Sequence, residues 1–498
     1  MKNRLILLIT VVFCLIFTGC SSAGTISTYT LSLDRMPKNL DPQVATGAEE
    51  LLIITNTFDG LFEYRDGEIV NNVCESYQVE NNGTKYIFTL KSSSSFYVNK
   101  TEQIPVTSRD FAFALNRILD PDTHSPYYSD FAGISGISTP DDSTLVITLD
   151  KADSNFLSKL CMPCTSPCNE EFFRETKGAY GLSVKDILSN GPFTVNYLAD
   201  DGSYATLIRV AQNEGDLDRI RISLNKEGLS GSELYKGDSV SGFFTDSSDS
   251  FDGTQHTFES SEFGMFFNME NPVLQNKNIR CALGWFCFGM ENSGANLAAV
   301  NQSTNIYTDS LTFGGVQLNS LVTAAVPQYM SQNPKDLLTA GLGETQLSKL
   351  SGLTVLVPSD SRYSAVIENI NQLWQKQLNA FLTIEYLPAG EIETRIAKGS
   401  YDIAFYSFKP QSNSPVLFSQ PFAAYDSDIA ACIEQINLLG GDNAALRYIQ
   451  QAQNLVLENA YCVPMCTDST SYWHRSWFEN VEINPFGNIV NLKYVTVK

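Results

Sequence analysis

Cys161-x2-Cys164-x3-Cys168 is the one close-set group of metal-type ligands in this chain of 498 residues. Zinc needs four protein ligands in a closed site or three in an open one. No histidine stands near the cluster, since the three in the chain are His124, His256 and His474. The group reads as a ligand set, a local disulfide or inert thiols, and no metal site is assigned to it. Signatures of catalysis are missing. There is no Gly-x4-Gly-Lys-Ser/Thr phosphate loop, no Gly-x-Ser-x-Gly elbow and no His-Glu-x-x-His. A fold can gather distant residues into a triad, yet no pair among the 55 acids stands out. The chain is expected not to be an enzyme. No catalytic residue is named and no cofactor is expected.

Aromatic side chains make up 11% of the chain, including 22 tyrosines. They can pack a core, or line a cleft that holds a ligand without reacting it. A formal net charge of −22 repels phosphate backbones and anionic lipid, which argues against a nucleic-acid partner. Hydrophobic residues at 43% and charged residues at 18% give a globular balance rather than a disordered one. The length calls for two or three cores.

The N-terminus has its own logic. Lys2 and Arg4 precede an apolar run from Leu5 to Phe17, broken only by Thr10. Those 13 residues are too few to span a bilayer and fit the core of an export signal. Phe17-Thr18-Gly19-Cys20 follows and resembles a bacterial lipobox, with Phe17 where leucine is usual. The resemblance implies that residues 1–19 are a lipoprotein signal peptide. Cys20 would then carry lipid on sulfur and anchor the chain to the outer face of the cell membrane of a Gram-positive bacterium. Of eleven cysteines, nine remain in the mature chain, so at least one is unpaired within a monomer.

The elements alternate between strand and helix. Thr25 to Leu33, with Tyr29, Leu31 and Leu33 on one face, reads as a strand, and Glu49 to Phe62 as a helix. Tyr86, Phe88 and Leu90 alternate as in a half-buried strand, as do Leu145, Ile147 and Leu149. Thr107 and Ser108 open a helix carrying Phe111, Ala114, Leu115 and Ile118. A strand from Gly352 to Pro358, a helix from Ser361 to Leu378 and a strand from Phe381 to Leu387 make a βαβ unit with parallel pairing. Tyr401 to Phe408 is a further buried strand, and Asn443 to Asn459 a further helix. Ser241 to Phe263 is rich in Ser, Asp and Gly and reads as a loop or crossover.

Segments in a fixed order resemble the dipeptide- and oligopeptide-binding proteins of ABC importers, the extracellular solute-binding proteins of family 5. They are Leu40-Asp41-Pro42, Phe58-Asp59-Gly60-Leu61-Phe62, Glu75-Ser76-Tyr77, Tyr86 to Lys91, Phe96 and Val106-Thr107-Ser108-Arg109-Asp110-Phe111. Asn190-Gly191-Pro192-Phe193, Phe267-Asn268, Ile279 to Leu283, Tyr401-Asp402-Ile403-Ala404 and Pro464 continue the order, which runs over residues 28–498.

The resemblance implies an α/β fold of the periplasmic-binding-protein-like class II. Two lobes with an inserted extra domain would face each other across a hinge cleft. Lobe I would comprise 25–56, 190–265 and 473–498, the inserted domain 57–189, and lobe III 266–472. The function implied is capture of an oligopeptide or related small solute by cleft closure, and delivery to the permease subunits of an ABC importer. The chain would act as a monomer. A peptide would lie extended between strand edges at Thr46, Gly47 and Ala48 and at Tyr406, Ser407, Phe408 and Lys409. One departure stands out. Gln411 occupies the position of the family's aspartate, which grips the peptide's ammonium group. A neutral amide bonds an ammonium about half as strongly as a carboxylate does. Gln411 and the nearby Lys409 suit a ligand with a blocked amine or an acidic group. The family's residues after the Ile279–Leu283 helix are also replaced, here by Cys287-Phe288-Gly289-Met290. A surface lipoprotein repurposed for sensing or adhesion, without import, is the alternative reading.

Overall fold

The computed structural model describes residues 26–65, 67–99, 101–199, 201–211, 215–290, 301–359, 362–410 and 412–498. The expected signal peptide 1–19, the expected lipidation site Cys20 and Gln411 lie outside the described residues.

β1 (Thr28–Leu33) alternates, burying Tyr29 and Leu31. α1 (Ala48–Thr57) follows and buries Leu52, Ile53 and Ile54. It stops at Phe58, not at Phe62 as its periodicity suggests. The cause is tertiary. Asn190 accepts from the Asp59 amide at 3.0 Å and donates to the Asp59 carbonyl at 2.8 Å. The Gly191 amide caps the Thr57 carbonyl at 2.9 Å. A Cβ on Gly191 would sit 2.8 Å from the Thr57 carbonyl, so only glycine lets the two segments meet. Phe62 instead opens β2 (Phe62–Arg65), which forms a hairpin with β3 (Glu68–Asn71).

The next stretch builds a separate core. β4 (Cys74–Glu80), β5 (Lys85–Leu90), α2 (Ser108–Leu119), β6 (Ile134–Asp141) and β7 (Thr144–Leu149) give an antiparallel sheet in the order β4-β5-β7-β6. α2 starts where the sequence places it. The Asp110 carboxylate accepts from the Thr107 amide at 2.7 Å in a capping box. Its apolar face packs Phe111, Leu115 and Ile118 against Phe88, Leu145 and Ile147.

The chain then returns to β1. β8 (Phe193–Leu198), β9 (Tyr204–Arg209) and β10 (Arg219–Leu224) extend its sheet in the order β1-β10-β9-β8, with β1 parallel to β10. Tyr29, Ile53, Phe193, Leu207 and Ile222 fill this core, closed by Val490 and Leu492 from the C-terminal tail.

After α3 (Gly231–Lys236) the expected loop from Ser241 to Phe263 contains two strands, β11 (Gly242–Thr245) and β12 (Thr254–Phe267). Only the residues between them match the Ser/Asp/Gly reading. Composition averaged over the segment hides the strand halves. Then come β13 (Ser351–Pro358), α4 (Ser364–Leu373), β14 (Phe381–Leu387), β15 (Ile403–Phe408), α5 (Leu446–Glu458) and β16 (Cys462–His474). The expected βαβ unit is present, with β13 and β14 parallel. These strands make one sheet in the order β11-β16-β12-β15-β13-β14. Its largest core includes Phe263, Val355, Ile370, Trp374, Phe405 and Val463.

β12 and β16 are the two long strands of that sheet, antiparallel from Thr254↔His474 to Phe266↔Cys462. At one end Tyr472 packs into the core of β1, where its hydroxyl meets that of Tyr29 at 2.9 Å. At the other, Phe263 and Cys466 belong to the core of β13 and β15. The pair thus runs from one core into the other. The limits 265/266 and 472/473 suggested by the sequence fall inside these strands.

Two of the three histidines meet on this bridge. The His474 Nδ1 lies 3.0 Å from the Arg475 carbonyl, which can only accept, so Nδ1 carries the proton. His474 Nε2 is then an acceptor, and His256 Nε2 donates to it at 3.0 Å. Burial, opposed by the Arg475 carbonyl and helped by His256, lowers the His474 pKa from 6.5 to about 4. The folded state therefore binds fewer protons than the unfolded one between these values. Stability is held above about pH 6.5 and lost as the pH falls toward 4. Replacing His474 with Gln is expected to remove about 1–2 kcal/mol of the acid-side loss at pH 5. Urea unfolding at pH 7.5 and 5 checks this, and parallel losses in both proteins would disprove it.

Candidate functional site

β15 carries three of the residues expected to line a cleft, Tyr406, Ser407 and Phe408, and Lys409 follows directly after it. Its Ile403, Ala404 and Phe405 are buried. It pairs with β12 along its whole length, Phe408↔Glu262 to Ile403↔Phe267. On its other side it pairs with β13 only at Ile403 and Ala404. β13 ends at Pro358, which has no amide hydrogen to donate. Among the described residues the ladder on that side ends at Leu356↔Ala404, so beyond it β15 has one edge with no strand paired to it.

That edge borders a cavity of about 570 Å³. Tyr406, Ser407 and Lys409 line it, joined by Arg362, Tyr363 and Asp468. Phe408 turns the other way and packs edge-on against Phe418, with ring centroids 4.9 Å apart. Asp468 is the polar centre of the wall. It accepts from Ser407 Oγ at 2.9 Å, from the Tyr363 hydroxyl and from Arg362. The Tyr363 ring stacks on Phe263 at 4.3 Å. Burial, with Cys466 and Asp468 beside it, pushes the Tyr363 hydroxyl far up, so it stays a donor. Sequence reasoning missed Arg362, Tyr363 and Asp468. The pair Arg362–Asp468 is separated by 106 residues in the chain and no motif contains it.

The other expected edge lies at the start of α1. Thr46 and Ala48 are exposed and Gly47 half-buried. Gly47 is the cap residue, and a Cβ there would lie 2.5 Å from Arg35 Nη2 and closer still to Glu50. Glycine lets Arg35 close on Glu49 at 2.7 Å and on Glu50 at 3.7 Å. Ala48 lines a second cavity of about 510 Å³. Gly487 and Asn488 line both cavities. The fold thus brings Ala48, Tyr406, Ser407 and Lys409 to two adjoining hollows, with Thr46 and Gly47 beside the first of these residues.

The loop that delivers α1 is gripped from the separate antiparallel core. Arg117 on α2 donates to Asp41 at 3.0 and 2.5 Å and to Gln43 Oε1 at 2.5 Å. Gln43 Nε2 donates to the Cys164 and Ser166 carbonyls at 2.9 and 3.1 Å. The Tyr127 hydroxyl reaches the Ala45 carbonyl. Cys161, Cys164 and Cys168, open to three readings from sequence, are unpaired thiols packed around this junction. Burial raises the pKa of Cys168 to about 12, and holds the Cys161 and Cys164 thiols protonated as well. Thiols of this kind are inert. Among the described residues no three His, Cys, Asp or Glu side chains are grouped to hold a metal ion.

Glu262, beneath the polar wall on β12, is 1% exposed, and Ser303 and the Met465 main chain beside its carboxyl only partly offset that burial. Burial, with Glu259 and Asp468 adding to it, holds this carboxyl protonated well above the usual range. A raised carboxyl pKa favours folding at low pH, and the benefit is lost as the pH rises. Glu262→Gln is expected to raise the melting temperature at pH 8 and leave it unchanged at pH 4. An equal shift at both values would show that proton binding is not the cause.

The family described as bacterial extracellular solute-binding proteins, family 5 Middle, matches residues 68–428. The oligopeptide-binding protein OppA of Bacillus subtilis is 23% identical over 475 residues, covering 85% of this chain and 84% of its own. Among solved structures, Listeria monocytogenes OppA bound to peptide superposes with a TM-score of 0.70 at 20% identity, over 96% of this chain and all of the other. HbpA2 from Haemophilus parasuis gives 0.73 at 17% identity, over 95% of this chain and all of the other. The architecture is therefore the two-lobed α/β fold with an inserted domain that the sequence implied.

Proposed function

We propose, since this chain belongs to the family 5 bacterial extracellular solute-binding proteins, that it captures oligopeptides by cleft closure and presents them to the permease of an ABC importer. The observation that carries the reading is the main-chain edge of β15 beyond Ala404, where Tyr406 and Ser407 border a cavity. An extended peptide can add there as a further strand. Its amides and carbonyls are bound whatever the side chains, which gives affinity without sequence reading. The α1 entry at Thr46, Gly47 and Ala48 supplies the opposing contacts. The antiparallel pair β12 and β16 serves as the hinge between lobe I and lobe III, a role that suits two strands rooted in different cores.

One relative named as an oligopeptide-binding protein and one named as a dipeptide-binding protein, each matched over most of both chains, support this ligand class. The chain binds and releases its ligand unchanged, as a monomer. Its signal peptide would be removed before Cys20, and lipid on that sulfur would hold it at the outer face of the cell membrane. Among the described residues no helix is long and apolar enough to cross a membrane. Cys20→Ala is expected to release the protein into the medium, and retention on the cells would exclude the anchor.

Peptide pools of two to nine residues test the binding step. A pool present at 100 times its Kd stabilises the folded state by about 2.7 kcal/mol. A melting curve unmoved by every pool would return the chain to a sensing or adhesive role. Gln411→Asp is expected to tighten free-amine peptides several-fold while leaving acetylated ones unchanged, because a carboxylate bonds an ammonium about twice as strongly as an amide does. Calorimetric titration of matched free and acetylated peptides reads this, and equal changes for both would remove Gln411 from the ammonium position.

A further inference from the structure

The two hollows of the cleft differ in chemistry. The one beside β15 is polar, built around Arg362, Asp468, Ser407 and Lys409. The one beside α1 has walls of Leu31, Leu52, Leu234, Phe243, Phe244 and Tyr472. These residues come from β1, α1, α3, β11 and β16, so five elements build one apolar surface. Leu31, Leu52, Phe243 and Tyr472 are rooted in their cores at 9% exposure or less. The wall is therefore rigid rather than a loose flap.

Charged groups at this hollow are already engaged. Glu49 pairs with Arg35 at 2.7 Å. Asp34 accepts from Asn225 Nδ2 at 2.9 Å, and the side-chain Oδ1 of Asn225 accepts from the Leu229 amide at 3.1 Å. Ser230 is the cap of α3, bonded to Glu233. The Tyr472 hydroxyl is bound to Tyr29. An anionic ligand group entering here would lose water and meet the Asp34 and Glu49 carboxylates, and a neutral polar group would find Asn225, Ser230 and Tyr472 already bonded. An apolar group would gain by leaving water.

We infer that this second hollow is a specificity subsite for a bulky apolar side chain, aliphatic or aromatic, of a peptide whose main chain lies along β15. The inference rests on the peptide-binding reading and narrows it. The chain does not take peptides indifferently. It prefers those carrying Leu, Ile, Phe or a similar residue at the position that reaches α1 and α3. Gly487 and Asn488, common to both hollows, mark where the ligand passes from the polar wall to the apolar one.

The test uses purified protein and pentapeptides of alanine with one position changed in turn to Leu, Phe, Ser or Asp, titrated calorimetrically. One position is expected to gain about tenfold or more in affinity with Leu or Phe over Ser or Asp. Leu234→Lys, on the half-buried face of α3, is expected to abolish that gain and keep the affinity for penta-alanine. Leu229→Lys gives a second probe of the same wall should Leu234→Lys fail to fold. If peptides bind with no preference at any position, or the preference survives both substitutions, the subsite is overturned while peptide binding stands. If no pentapeptide binds at all, the subsite falls together with the peptide reading.

Discussion

Arg117→Met is expected to destabilise the protein by about 3–5 kcal/mol, the loss typical when one partner of a buried ion pair is removed. The two side chains are 9% and 7% exposed. Methionine keeps the length of the stem and some contact with the Phe173 ring, over which the guanidinium sits at 4.2 Å. The loss would then come from the Asp41 carboxylate, left buried with only the Gln43 amide at 3.1 Å to face. Adding Asp41→Asn is expected to recover a large part of it, because the orphaned charge is gone while the acceptor for Gln43 remains. A binding defect should accompany the loss. Arg117 also holds Gln43, and through it the loop that sets Thr46, Gly47 and Ala48 in place. Urea unfolding of the single and double variants measures the cycle. A single-variant loss below about 1 kcal/mol would mean that the pair is solvated in solution.

Gly264→Val acts on the bridge between the lobes. Gly264 on β12 faces Pro464 on β16, next to a break in the register. A Cβ there would lie 2.6 Å from the Val463 carbonyl oxygen and 3.3 Å from the Pro464 Cα. Both are backbone atoms of the neighbouring strand, so no rotamer change relieves the contact. Overpacking of this kind costs about 1–3 kcal/mol, and the upper end is expected where backbone must move. The separation of β12 and β16 would also change the angle at which the lobes meet. Peptide affinity is therefore expected to fall by more than stability alone explains. Thermal unfolding together with calorimetry separates the two effects. Normal affinity in a destabilised variant would move the hinge elsewhere.

Reading the chain before its fold succeeded where local chemistry decides. Thr107 and Asp110 lie three residues apart, and the capping box they form starts α2 as expected. The βαβ unit follows from its alternation and helical periodicity, both of which are local patterns. The same reading failed where contacts distant in sequence decide. α1 ends at Phe58 because Asn190 and Gly191 dock there. The strands of β11 and β12 were hidden by the polar loop between them. Edge exposure is of the same kind. Tyr386 alternates with Leu382 and Ile384 yet is exposed at 45%, because β14 ends the sheet.

The candidate site divides along the same line. Residue order alone carried the family and the fold class, since motifs are contiguous and survive in one dimension, and it pointed to Thr46–Ala48 and Tyr406–Lys409 as segments to look for in the fold. It could not tell that Phe408 points into a core while Ser407 faces a cavity. Nor could it find Asp468, which is held by groups 61 to 106 residues away. Whether a side chain meets solvent, ligand or core depends on which strands pair and where a ladder ends. Those are long-range hydrogen bonds and packing contacts, and they come into being only when the chain folds.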